Sequence, residues 1–364
     1  MPTAKYLEIV GALQQQIQDK VYALHELPSE RKVAAQFGVS YMTARKAVQR
    51  LITDGVLKRD TNGRLDIEPH KSRSRASLTI GFLMPAPASM WSSQWAWEHD
   101  LSDLVEERRG VVRPITYVGA SDPLIFDALD GDFDGLFLIL PRQLSPLLAD
   151  RLARKCERLV VLWQDVTHLG IPSIETAPGR FVSKILDHLV GLGHRQIDCL
   201  NTRLAGWTAR ERISHWQSGI EAIGVQGRFH EFSSDAIAPG PAARTHMRAL
   251  LESGELTTTS LFCVDTSQAW GAIRACQDMG IHVGKDLSIC GFGEMEIAQL
   301  LCPSVTAVEP ANRKELLAKG LDWIQTRGRG WKGPLRLEPD DVSLFIGEST
   351  GPAPISSGRA FEPS

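Results

Sequence analysis

Apolar and polar positions follow two different rhythms along this chain. Up to about residue 67 the apolar residues recur at helical spacing. Tyr6, Ile9, Val10, Leu13 and Ile17 mark one face of a helix predicted over about 4–20. Ser29 caps a second predicted helix reaching about Phe37, with Pro28 holding the preceding chain extended. Gly38-Val39 forms a turn, Ser40 caps a third helix running to about Thr53, and Gly55 stops it. In that third helix Ala44, Ala47, Val48, Leu51 and Ile52 share one face. A short hairpin is predicted over 56–67, with Asn62-Gly63 at its turn.

From Leu78 the rhythm changes to short, nearly continuous apolar runs at 78–84, 111–117, 135–140 and 159–163, with helical stretches at 101–107 and 147–155. The same texture then begins again. Strands are predicted at 196–200, 227–232, 260–264 and 287–292, alternating with helices at 181–192, 209–223, 241–253 and 268–279. Two late strands, 305–308 and 344–346, flank a helix over 313–326. Apolar strands alternating with helices predict an α/β fold whose parallel sheets are covered on both faces. Two such units in succession predict two lobes with a cleft between them, at the carboxyl ends of the strands.

The outward face of the third helix carries Tyr41, Thr43, Arg45, Lys46, Gln49 and Arg50. A polar, basic helix preceded by a short one is the helix-turn-helix arrangement, in which the second helix enters the DNA major groove. The hairpin then acts as a wing, with Lys58, Arg59 and Arg64 near a phosphate backbone. The competing reading is a small helical domain with a solvated basic face.

Charge favours the first reading. The chain of 364 residues has a net charge of -3, but residues 1–75 hold 13 Lys/Arg against 8 Asp/Glu, leaving 27 against 35 in the rest. A basic head on an acidic body suits a polyanion held by one end. The length calls for two or three domains. No run of apolar residues approaches a membrane span, no signal stretch opens the chain, and a cytoplasmic protein without membrane association is expected. The six cysteines stand far apart with no CxxC, and read as small buried hydrophobes, so no metal is expected.

The run LPSERKVAAQFGVSYMTARKAVQRLITDGVLKR closely resembles the winged helix-turn-helix head of GntR-type bacterial regulators. The body resembles the effector domain of LacI/GalR-type regulators, themselves similar to periplasmic sugar-binding proteins. The matching pieces are LTIGFLMP at 78–85, FDGLFLILP at 133–141, HLVGLGHRQI at 188–197, TARERISHWQSGIEAIGV at 208–225, the run at 262–293 ending DLSICGFG, PSVTAVEP at 303–310 and GEST at 347–350. A GntR-type head on such a body resembles the subclass that includes arabinose-responsive repressors.

The resemblance implies an N-terminal winged helix-turn-helix at 1–68, a linker at 69–77, and a two-lobed periplasmic-binding-protein-like domain at 78–350 that binds an effector and dimerises. Lobe one is then expected at about 78–165 and 294–325, lobe two at about 166–293 and 326–350, with a disordered tail at 351–364. It further implies an allosteric repressor of carbohydrate-utilisation genes, without a cofactor, that binds double-stranded operator DNA as a homodimer and is released by a sugar or sugar derivative.

Carried over residue by residue, the head pattern points to Arg31, Ser40, Thr43, Arg45 and Gly63 as DNA contacts; helical projection and the wing add Tyr41, Lys46, Gln49, Arg50 and Arg64. Arg45 can bracket guanine O6 and N7, whereas Ser40, Tyr41 and Thr43 suit phosphate positioning. The wing reads TNGRLDIE, with one glycine and an acid, and departs from the usual family form.

For the effector cleft, Trp91, Trp95, Trp163, Trp207, Trp216 and Trp270 stand near expected strand ends, and indole faces suit sugar rings or a nucleobase. Core packing is the competing account for each. Arg212 and Asp265 correspond to family positions that bind ligand hydroxyls, with a salt bridge inside one lobe as the alternative. Two usual polar positions have diverged: Gly293 follows Phe292, and the segment after the lobe crossing reads Ile174-Glu175-Thr176-Ala177. Fewer carboxylates and more indole leave room for a larger or modified glycan, or for a nucleoside or other aromatic molecule acting as corepressor. There is no P-loop, G-x-S-x-G, H-E-x-x-H or dinucleotide fingerprint, so an enzyme is not expected. A transport solute-binding protein has no use for the basic head.

Overall fold

A computed structural model of the chain describes residues 5–18, 21–22, 27–60, 63–67, 78–86, 94–141, 144–202, 206–232, 238–329, 331 and 335–354. The head begins with α1 (Lys5–Gln18), α2 (Glu30–Gln36) and α3 (Tyr41–Thr53), followed by β1 (Leu57–Arg59) and β2 (Leu65–Ile67). Ile9, Val10, Leu13 and Ile17 of α1 are buried with Val33 of α2 and Ala44, Ala47, Val48 and Leu51 of α3. Small alanines let α3 lie close to its neighbours. The two short strands pair antiparallel, Leu57 opposite Ile67. Asn62 and the expected linker at 69–77 lie outside the described residues.

The first part of the body runs β3 (Thr79–Pro85), α4 (Gln94–Glu107), β4 (Val111–Tyr117), α5 (Pro123–Asp130), β5 (Gly135–Ile139), α6 (Pro146–Ala153), β6 (Leu159–Leu162) and β7 (Ser173–Ile174). The second part follows with α7 (Val182–Gly191), β8 (Asp198–Asn201), α8 (Trp207–Ile223), β9 (Phe229–Glu231), α9 (Pro239–Glu252), β10 (Ser260–Cys263), α10 (Thr266–Asp278), β11 (Ser288–Phe292), α11 (Met295–Ala298) and β12 (Thr306–Val308). The chain ends with α12 (Arg313–Thr326), β13 (Arg336–Leu337) and β14 (Leu344–Phe345).

Two six-stranded sheets result, ordered β13-β7-β6-β5-β3-β4 and β14-β12-β11-β10-β8-β9. Pairing is parallel throughout except between β12 and β14. Because β3, β5 and β6 are buried along nearly their whole length, their sequence shows continuous apolar runs instead of alternation. The expected α/β architecture of two parallel-sheet lobes is present.

The expected lobe limits shift. β7 and β13 belong to the first sheet, although 166–293 and 326–350 were assigned to lobe two, and β12 belongs to the second although 294–325 was assigned to lobe one. The reason is packing. Ile174 and Leu337 fill the first lobe's core beside Leu317 and Leu321 of α12, while Val308 closes the second lobe's core against Phe292. Three crossings therefore join the lobes. They are tied side by side by Glu175 N to Leu337 O (2.9 Å), Ala311 N to Thr176 O (2.9 Å) and Glu309 N to Ser343 O (2.9 Å).

The beginning of the expected tail is also ordered. Ala353 N donates to Leu192 O (2.9 Å), and Gly351 N donates to Ser288 Oγ (3.1 Å). The imidazole of His194 sits against Gly351 O (3.2 Å), Ser288 Oγ and Thr259 Oγ1. Residues 355–364 lie outside the described residues. Four of the six cysteines are buried, but Cys156 is half-buried and Cys302 exposed, because both fall at element ends. Among the described residues no helix is long and apolar enough to cross a membrane.

Candidate functional site

In the head, serine oxygens start both helices of the motif. Ser29 Oγ accepts from Lys32 N, and Ser40 Oγ accepts from Thr43 N (3.2 Å) while lying 2.9 Å from Thr43 Oγ1. Capping orients Ser40 and Thr43, so both also have a structural duty. With Ala44, Ala47, Val48 and Leu51 turned inward, Tyr41, Arg45, Lys46, Gln49 and Arg50 are left exposed. Arg31 is exposed on α2, and neither it nor Arg45 meets a partner among the described residues.

Other cations are committed. Lys46 Nζ lies 4.4 Å from the centre of the Tyr6 ring, and Arg50 Nε donates to Asp54 Oδ2 at 2.9 Å. Arg59 bridges hairpin and helix, bonding Glu30 of α2 (2.5 Å) and Gly63 O (2.9 Å). Gly63 has φ 77°, a left-handed turn position that glycine takes without strain. Arg64 is exposed beside it. Met42, at the start of α3, is 67% exposed on the same polar face. A lone apolar residue among charges and hydroxyls breaks no helical period, so its exposure shows only in the fold.

The tryptophans part company. Trp91 lies outside the described residues. Trp95 is exposed on the first turn of α4, while Trp97 is buried and meets Trp163 edge-on at 6.4 Å. Trp163 ends the fourth long strand with φ 73°, a strained conformation for a bulky side chain. Trp207, at the start of α8, stacks on His168 of the first lobe at 6.1 Å, and Thr208 Oγ1 reaches Trp163 O at 3.5 Å. These contacts place Trp163 and Trp207 where the lobes face each other.

Trp216 is a correction: it is buried in the second lobe's core and its Nε1 donates to Ile197 O (3.1 Å), because it occupies the inner face of α8. Trp270 lies on α10 against Gly240 of α9, partly exposed. An open pocket of about 690 Å³ flanks α8 and β9 on the second lobe, lined by Gln196, Trp216, Gln226 and Phe229. It sits at the amino ends of the strands and contains no orphaned buried polar atom among the described residues, so it lacks the features of a specific site.

Those features gather at the lobe crossings. Arg212 donates from Nη1 to Val264 O (2.9 Å), at the carboxyl end of β10, and its guanidinium lies 4.0 Å over Phe292 at the end of β11. Its Nε is buried without a partner. Asp265 caps α10, accepting from Gln268 N (2.9 Å) and Ser267 Oγ (2.6 Å), and Glu294 accepts from Ser267 N (2.8 Å). Burial lowers the proton affinity of Arg212, against the opposing pull of Asp265, Glu175, Glu294 and Glu211.

Glu175 is 5% exposed and its Oε1 has no partner. Burial first, and then repulsion from Glu211, pushes its carboxyl up to about 8 despite the pull of Arg212. Glu211 Oε1 accepts from Gly179 N (3.3 Å), leaving Oε2 buried and unpartnered. The expectation of few carboxylates at the cleft is therefore overturned. Glu175 and Glu211 were missed because positions 175 and 211 approach only through the chain crossing.

Comparison with known proteins matches these parts separately. Residues 5–65 match the gntR family of bacterial regulatory proteins, and residues 186–318 match the periplasmic binding protein-like domain. The Lactose operon repressor of Escherichia coli (strain K12) is 30% identical over 124 residues, 34% of this chain and 33% of that protein. An HTH-type transcriptional repressor PurR of Aliivibrio fischeri (strain ATCC 700601 / ES114) is 25% identical over 194 residues, 48% of this chain and 56% of that protein. The chain thus spans between a third and just over half of these relatives' length. Among solved structures, a dimeric Lac repressor with an 11-residue C-terminal deletion aligns with TM-score 0.65 at 20% identity, covering 76% of this chain and 99% of that one. A regulatory protein of the LacI family from Chloroflexus aggregans aligns with TM-score 0.63 at 18% identity, covering 76% and 99%. The fold is shared with both.

Proposed function

We propose that this chain, a gntR-type winged helix-turn-helix joined to a periplasmic-binding-protein-like body, is a transcriptional repressor. It reads a palindromic operator as a homodimer and changes its affinity when a small molecule fills the interlobe cleft. The observation that carries the reading is the pairing of two unspent arginine functions: Arg45 on the exposed face of α3 and the buried Nε of Arg212 between the lobes. One head offers few base contacts, and two heads related by a twofold axis double them on one face of the duplex. Several relatives are named as repressors, and one related structure is described as a Lac repressor dimer bound to operator and an anti-inducer.

The ligand is read as a carbohydrate derivative, with Arg212 and Asp265 on its hydroxyls and Trp163 and Trp207 against its apolar faces. The indole pair and His168 equally suit a flat heterocycle, so a nucleoside-like corepressor is the second reading. Ligand acts by favouring one lobe arrangement over the other. Release of the operator on ligand addition means induction; tightening means corepression.

The test is fluorescence anisotropy of the full chain on operator fragments selected from random duplex, with and without sugars and nucleosides. Arg45→Ala is expected to weaken selected sites by roughly 5–150-fold, as loss of ~1–3 kcal/mol of base discrimination dictates, with little effect on random duplex. Equal losses on both duplexes would assign Arg45 to the phosphates. Absence of any sequence preference in the unaltered protein would end the proposal.

A further inference from the structure

The polar groups around the cleft are not balanced. Arg180 and Arg336 are committed to Glu338 (both 2.9 Å), and Arg336 also to Asp165 (3.1 Å). Asp265 and Glu294 already accept bonds at the amino end of α10, so Asp265 can meet a ligand hydroxyl but no atom of it is left unpartnered. Among the described residues that leaves Glu175 and Glu211 facing Arg212, and each of the three keeps a buried atom without a partner: Glu175 Oε1, Glu211 Oε2 and Arg212 Nε. Among the described residues two acid oxygens and one guanidinium nitrogen are thus left for a bound molecule to meet. Burying a polar atom without a partner costs free energy that a bound group recovers. The missing group is a strong donor, and a positive charge on it takes the place of the proton that the crowded Glu175 carboxyl otherwise holds beside Glu211.

We propose that the cleft ligand carries a cationic nitrogen seated between Glu175 and Glu211, with an acceptor on the same molecule taking the Nε–H of Arg212. This rests on the cleft reading above and narrows it to amine-bearing molecules, such as an amino sugar or an aromatic amine. A neutral polyol would leave Glu175 holding its own proton and would bring no charge to pair the two acids. The stacked Trp207–His168 pair and the edge of Trp163 leave the skeleton open, because they suit an apolar sugar face and an aromatic ring alike.

Matched pairs test the nitrogen independently of the skeleton. Full-length protein is titrated calorimetrically at pH 7.5 and fixed ionic strength with glucosamine against glucose, and with 2-phenylethylamine against 2-phenylethanol. The amine is expected to bind at least tenfold more tightly than its alcohol in one pair or more. That preference is expected to fall below threefold in Glu175→Gln and Glu211→Gln, both of which keep the side-chain volume. Arg212→Met is expected to weaken both members of a pair alike. Equal binding, preference for the neutral member, no binding by any of the four, or a preference surviving in both glutamine variants overturns the proposal. Operator selectivity, measured separately, stands or falls with the repressor reading and not with this one.

Discussion

Gly271→Ala is expected to destabilise the second lobe by roughly 3 kcal/mol, the upper range for forcing atoms into a packed core. The helix α10 crosses α9 so closely that a Cβ on Gly271 falls 2.0 Å from Gly240 O, 2.8 Å from Ala243 Cβ and 2.9 Å from Arg244 N. Two of these are backbone atoms, which no rotamer change moves aside. Relief requires sliding α9 off a core that buries Ala243, Met247, Leu250 and Leu251. Alanine's better helix propensity, ~1 kcal/mol over glycine, offsets only part of this. Gly219→Ala is the comparison: its Cβ meets Leu186 Cδ1 at 2.4 Å, the end of a side chain that can rotate. Urea unfolding of the two variants is expected to separate them by ~2 kcal/mol or more, Gly271→Ala being the less stable. Equal midpoints would mean that the helices do not approach this closely.

The stability of the ligand-free protein is expected to fall as pH rises through the neutral range, by an amount that Glu175→Gln removes. The Glu175 carboxyl is pushed up to about 8 in the fold from an ordinary value near 4.5. Between those values the folded chain holds a proton that the unfolded chain has lost. Stability from this group is therefore full below about pH 4.5, declines as pH climbs to about 8, and is flat above. At about 1.4 kcal/mol per tenfold change in proton affinity, the whole decline is on the order of 5 kcal/mol. The groups facing Glu175 are Glu211 and Arg212 of α8, Glu338 after β13 and Asp165 after β6; among them only Arg212 opposes the rise.

His194 contributes in the opposite direction. Burial lowers its proton affinity, so its contribution is full above the ordinary histidine value near 6.5 and is lost as pH falls below that value. The difference between wild type and Glu175→Gln at each pH cancels this background. Thermal or urea unfolding across pH 5–9 is expected to show the variant gaining on the wild type steadily from pH 5 to 8. A constant difference would place Glu175 in water.

Much of the head could be read directly from residue order. Ser29, Ser40, Gly38 and Gly55 mark helix starts and stops, and Ala44, Ala47, Val48 and Leu51 settle which face of α3 turns inward. Each signal acts within a few residues, through a cap or through i to i+3 and i+4 neighbours. The buried strands were legible for the same reason: β3, β5 and β6 are continuous apolar runs too short for helices. By contrast α5 was passed over, and the two-residue strands β7 and β13 are too short to show a period.

Local order along the chain thus determined the two kinds of domain, the exposed basic face of α3 and the presence of two parallel sheets. Which sheet received β7, β12 and β13 depended on the fit of Ile174, Leu337 and Val308 into cores already built by distant segments. Trp216 and Trp163 look alike in sequence, yet one fills a core and the other meets the facing lobe. Glu175, Glu211 and Arg212 became neighbours only when the crossings brought them together. Periodicity reports what a residue does to its neighbours in the chain; burial and electrostatic imbalance depend on neighbours in space, and those exist only after the chain has closed on itself.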